Sequence, residues 1–152
     1  MKPNVLVLAV IFVFLSVCQT IHGSAFTPAA DIPAGKALVY VYKPLAYGKS
    51  LYMVYINREP LVKLRKGGYY PYYATPGELE IIADKKARLG ELLEVFNIEP
   101  NKRMVLQVEP GKVYYVKLSG SLNVKFSQVD ESEALTDLAK CKELPAYKKP
   151  GK

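Results

Sequence analysis

Turn-forming residues are what most restrict the fold of this chain. From residue 37 onward, Pro, Gly, Asn and Ser recur at short intervals and cut the sequence into runs rich in Val, Ile, Leu, Tyr and Phe. The runs cover residues 37–42, 51–57, 61–64, 69–74, 79–83, 104–109, 113–118 and 122–129. Each is too short for a stable helix and has the β-branched and aromatic content of a strand. Between them stand Pro44 and Gly48, Asn57-Arg58-Glu59-Pro60, Lys66-Gly67-Gly68, Thr75-Pro76-Gly77, Pro110-Gly111 and Ser119-Gly120-Ser121. Such spacing predicts a mostly-β antiparallel sandwich, immunoglobulin-like or prealbumin-like. In the first strand, Leu38, Tyr40 and Tyr42 share one face, and Val39 and Val41 the other. Pro71 has no N–H for a ladder, so it belongs at a sheet edge or a bulge.

Two segments break this rhythm. Residues 84–100 fit a helix through Leu89, Leu92, Leu93 and Phe96, but Gly90 and the β-branched Val95 and Ile98 favour a hairpin. Near the C-terminus, Asp130 with Glu133 three residues on forms a helix-start signal. Ala134, Leu138 and Cys141 then fall on one helical face with Leu135 beside them, and that face is expected to be buried on the sheet.

The N-terminus has a different character. Lys2 precedes an uncharged, apolar run over residues 5–17, shorter than the roughly 20 residues that span a bilayer. Gly23 and Ala25 stand at −3 and −1 of a cleavage site before Phe26, so residues 1–25 read as a signal peptide and its helix. Leu15-Ser16-Val17-Cys18 offers a competing route, lipidation of Cys18, although Val17 is larger than that position normally takes. Cleavage at Ala25 would release a soluble protein, whereas acylated Cys18 would hold it to a membrane. The expected organisation is signal peptide 1–25, linker 26–36, sandwich domain 37–142 and a basic flexible tail 143–152. The expected location is the periplasm or the membrane surface of a bacterial envelope, or the exterior.

These residues resemble a known family. Leu38-Val39-Tyr40-Val41-Tyr42-Lys43-Pro44 is similar to the opening of the bacterial domain-of-unknown-function family 2846. Tyr47-Gly48, Asn57-Arg58 and Thr75-Pro76-Gly77-Glu78 match its aromatic loop, its small turn and its Pro-Gly turn. Val108-Glu109-Pro110-Gly111-Lys112-Val113-Tyr114-Tyr115-Val116 resembles its Gly-Lys-x-Tyr-Tyr signature, and Leu138-Ala139-Lys140-Cys141 its end. Asn57-Arg58-Glu59 departs from the Asp-Gly of its central hairpin. The resemblance implies an exported or lipidated envelope protein and supplies no activity.

Chemistry is scarce. The single histidine, His22, lies in the leader, so the processed chain has no imidazole base or ligand. No cofactor or metal is expected. Gly48-Lys49-Ser50 mimics the end of a phosphate loop, but Lys43 stands where the motif needs glycine and no helix follows. Cys141 is the only cysteine after the leader; the lysines beside it could activate it, but helical spacing turns it inward. Glu78 and Glu80 with Asp84, or Ser119 and Ser121 with Lys125, would be the tools of a small hydrolase. A turn, a strand and surface carboxylates account for those residues more simply, so the chain reads as a non-catalytic binding or structural module.

Tyrosine is the one enrichment, twelve in all. Tyr69, Tyr70, Tyr72 and Tyr73 follow closely on Lys63, Arg65 and Lys66. Aromatic area beside positive charge suits a contact surface for an envelope protein, a glycan or an anionic lipid headgroup. Nucleic acid has the same appetite for such residues, but an exported protein seldom meets it. The late lysines, Lys140, Lys142, Lys148, Lys149 and Lys152, could by themselves meet anionic lipid headgroups, acidic glycans or nucleic acid, but read more simply as a solvated, mobile terminus.

Overall fold

A computed structural model of the chain describes residues 26–85, 102–120 and 123–148. The segment expected as a signal peptide, with Cys18, nearly all of the segment expected as a hairpin, and Ser121 lie outside the described residues. The elements are β1 (Ala37–Lys43), β2 (Tyr52–Ile56), β3 (Glu59–Leu64), β4 (Gly68–Ala74), β5 (Gly77–Asp84), β6 (Arg103–Val108), β7 (Val113–Ser119), β8 (Lys125–Val129), α1 (Glu131–Leu138) and β9 (Lys142–Glu143). They form two sheets, ordered β8-β7-β1-β4-β9 and β3-β2-β5-β6. The fold is the expected mostly-β sandwich with one C-terminal helix. Two pairings, β1 with β7 and β4 with β9, are parallel. The first follows from where the strands start. Gly111 N donates to Lys36 O at 2.7 Å and Leu38 N to Lys112 O at 2.9 Å, so β1 and β7 leave the same end of the sheet together.

Period-two alternation divides the apolar side chains between two layers. Val39, Val41, Val54, Ile56, Val62, Leu79, Ile81, Leu106, Val116 and Leu118 meet between the sheets. Leu38, Tyr40, Tyr42, Tyr69 and Tyr115 point the other way and meet Ala134, Leu138 and Cys141. Because β1 is central and covered on both faces, all seven of its residues are buried.

Asp130 caps α1 as its sequence signal predicts, accepting from Glu133 N at 2.8 Å. The Glu133 carboxylate turns to the sheet instead of back to the cap. Lys117 Nζ on β7 lies 2.8 Å from Glu133 Oε1 and 2.7 Å from Asp137 Oδ2, one helical turn apart. This pair of contacts draws the helix onto β7. Ala134, Leu138 and Cys141 are buried, but Leu135 is only half-buried, because an eight-residue helix lies on the sheet with a narrow face.

Both expected flanking segments are packed on the domain. Phe26 meets Tyr40 and Tyr69 edge-on, centroids 5.3 and 5.1 Å apart, and Ala29 N donates to Tyr40 Oη at 2.8 Å. Residues 143–147, expected as part of a flexible tail, are docked: Glu143 ends β9, Leu144 is buried in the inter-sheet core, and Ala146 bridges Val62. Their apolar side chains and backbone groups find partners that the charge pattern of the terminus conceals.

Candidate functional site

The docked C-terminus forms a strap that joins the two sheets along one side. Lys142 N donates to Gly67 O and Leu144 N to Tyr69 O, both at 2.9 Å, on the outer edge of β4. The strap then crosses to the outer edge of β3, where Tyr147 N donates to Leu61 O at 2.7 Å. Two prolines explain the crossing. The Tyr69 carbonyl faces outward, so by alternation the backbone N of Pro71 faces the same edge, and it has no N–H to continue the ladder. Pro145 cannot donate either. Pro71 is thus the edge residue that its sequence requires. Gly68 admits the strap, since a Cβ there would run into Leu144 Cδ1.

A groove of about 410 Å³ lies between the strap and β3. Lys63 and Arg65 line one side with Leu51; Leu144, Pro145, Ala146, Tyr147 and Lys148 line the other. Lys63 and Arg65 are two residues apart in extended chain and project to the same side. Lys63 Nζ sits 5.3 Å from the centroid of the Tyr147 ring, close enough for a cation–π attraction. Lys63, Arg65 and Lys148 are all exposed. The ion pairs among the described residues join Arg58 and Arg103 to Glu80, Lys112 to Glu109, and Lys117 to Glu133 and Asp137, and none involves a groove cation.

The loop that carries Leu51 is fastened by Lys43, the one buried charged side chain among the described residues. Its Nζ donates to Gly48 O and Ser50 O, each at 2.8 Å, and lies 5.0 Å from the Tyr52 ring centroid. Burial, and then the nearby charge of Lys66, push its ammonium below the ordinary lysine range. The carbonyls of Gly48 and Ser50 therefore face an internal cation, the reverse of a phosphate loop.

The structure separates the other residues of the expected contact surface. Lys66 is exposed in the β3–β4 turn, outside the groove lining. Tyr69 is buried in the layer under α1, and Tyr70 and Tyr72 are half-buried against the inter-sheet core. Tyr73, 40% exposed, is on the opposite face of β4 from Tyr70 and Tyr72. Alternation puts Tyr70 and Tyr72 on one face of β4 and Tyr69 and Tyr73 on the other, and three of the four are drawn into two different cores. Only Lys63 and Arg65 come together at the groove, and their aromatic companion is Tyr147. A signal for Tyr147 existed in the sequence: Leu144-Pro145-Ala146-Tyr147 is an apolar island among lysines.

The candidate catalytic groups are differently disposed. Glu80 is clamped by Arg103 at 2.6 Å and Arg58 at 3.6 Å, while Glu78 and Asp84 are exposed. Ser119 stands opposite Lys125 across the β7–β8 pair, on the far side of the domain from the strap. Burial, and then Asp137, push the Cys141 thiol up to about 11, and its Sγ–H points to Asp137 O at 3.3 Å. That keeps it a protonated, enclosed thiol. Among the described residues no three His, Cys, Asp or Glu side chains gather to hold a metal ion.

The model of DUF2846, proteins of unknown function, matches residues 33–130. The chain belongs to this family. The DUF2846 match includes β1 to β8 and so contributes Leu51, Lys63 and Arg65 to the groove. It stops at the cap of α1, so the strap wall with Tyr147 and Lys148 lies beyond it. No curated protein and no solved structure matches the chain.

Proposed function

We propose that this protein is a non-catalytic binding module of the cell envelope, exported by its leader, with the groove between β3 and the strap as its contact surface. One observation carries the reading. Three exposed cations without carboxylate partners among the described residues line one groove, together with an aromatic ring and apolar side chains. Exposed cations of this kind supply attraction and steering toward an anionic surface, and salt screens both. The clamped Glu80 and the enclosed Cys141 support a binding role over a hydrolytic one.

Retention on isolated envelope fractions tests the proposal. Lys63→Gln, Arg65→Gln and Lys148→Gln together should abolish retention at low salt while leaving the melting temperature unchanged. Retention equal to that of the unaltered protein would remove the groove as the contact surface. Mass spectrometry of the processed N-terminus tests export: a chain that begins at Phe26 is released, and one that begins at modified Cys18 is anchored.

A further inference from the structure

The groove cations come from parts of the chain about eighty residues apart, Lys63 and Arg65 from β3 and its end, Lys148 from the strap. Folding brings like charges together there, and among the described residues only Lys63 is partly compensated, by the Tyr147 ring. An anion from outside would complete the arrangement and tie the strap to β3. Resting on the groove as the contact surface, we propose that it binds a phosphate ester borne on a small polyol, of the glycerol phosphate type.

Geometry favours phosphate over carboxylate. Arg65 offers a planar fork of donors, while Lys63 and Lys148 are point charges on opposite walls. A carboxylate has two oxygens in one plane, whereas a phosphate ester presents tetrahedrally arranged oxygens that can accept from several directions at once. The remaining lining, Leu51, Leu144, Pro145 and Ala146, suits the C–H surface of a polyol. The volume of about 410 Å³ falls within the usual range of small-ligand sites, roughly 300–1,000 Å³.

The test uses the processed protein as purified from expressing cells. Glycerol 1-phosphate is titrated while backbone amide resonances are followed, with glucuronate as the carboxylate probe. Saturable shifts are expected at Lys63, Arg65, Tyr147 and Lys148, with glucuronate at least about tenfold weaker. The Lys63→Gln, Arg65→Gln, Lys148→Gln variant should weaken binding by about tenfold or more. Lys36→Gln, Lys125→Gln, Lys140→Gln, with the same charge change elsewhere, should leave it intact. Co-sedimentation with phosphatidylcholine vesicles, with and without phosphatidylglycerol, then separates the sources. Binding to both glycerol phosphate and the phosphatidylglycerol vesicles supports a lipid headgroup; binding to glycerol phosphate alone supports a soluble or polymeric ester. The proposal is overturned by no saturable shift, by equal binding of glucuronate, or by equal losses in the two triple variants. If phosphate esters fail but the groove variant still loses envelope retention, the ligand class alone is wrong; if retention is also unaffected, the contact surface is wrong too.

Discussion

Raising the pH above 10 should unfold this domain through the tyrosine layer under α1. Tyr69 and Tyr115 are pushed up to about 12, first by burial and then by Glu143 and Glu131, whose carboxylates accept their hydroxyls at 3.4 and 3.2 Å. Tyr42 is raised further by burial and by Asp137, and Tyr40 is raised by burial. In each case the folded state holds the phenolic proton more tightly than the unfolded chain does. The associated stability is complete below pH 10 and is lost as the pH climbs toward and past 12. For a phenol moving from 10 to about 12, the loss is about 1.4 kcal/mol at pH 11 and approaches about 2.7 kcal/mol above pH 12. Tyr69 and Tyr115 together then remove about 5 kcal/mol, comparable to the whole stability of a small domain. Lys43 opposes this, because burial lowers its folded value and its deprotonation relieves a buried charge as the pH rises. It stands alone against the four phenols, which the raised Cys141, Tyr55 and Lys117 reinforce. Urea midpoints between pH 8 and 12, alongside tyrosinate absorbance, provide the assay. Late-titrating phenols should ionise together with unfolding, and Tyr115→Phe should flatten the decline. A midpoint constant to pH 12, or all twelve tyrosines ionising near pH 10 in a folded protein, would refute the reasoning.

Other outcomes follow from packing. Leu138→Ala should cost about 2–5 kcal/mol in chemical denaturation, since Leu138 is fully buried between α1 and the tyrosines. Gly68→Ala should lower stability by about 1–3 kcal/mol and free the strap, seen as faster amide exchange at Leu144 and Tyr147, because the new methyl meets the Leu144 side chain. Arg58→Gly should raise the unfolding free energy by about 0.5–1 kcal/mol, seen as a higher denaturation midpoint: Asn57 at φ 46° and Arg58 at φ 70° form a turn that favours glycine second, and the exposed Arg58–Glu80 pair adds little.

Local chemistry made much of the fold legible. Alternation in β1 assigned Leu38, Tyr40 and Tyr42 to one layer and Val39 and Val41 to the other, and both layers exist. The Asp130 cap and the edge position of Pro71 depend on single backbone groups that a sequence displays directly. Of the expected contact surface, Lys63 and Arg65 alone line the groove. Spacing could put both on one side of a strand, but could not say that the neighbouring tyrosines are consumed by two cores.

What the sequence by itself determined was therefore strands β1 to β8, their facing and the capped helix, because turn residues and two-residue periodicity act over a few positions. Tertiary structure alone decided the parallel pairing of β1 with β7, the burial of Lys43 and the docking of the strap. Each depends on contacts between distant segments. An apolar island such as Leu144 to Tyr147 can enter a core only where folding has left two sheet edges side by side, and Lys148 reaches the groove only because that island is held there.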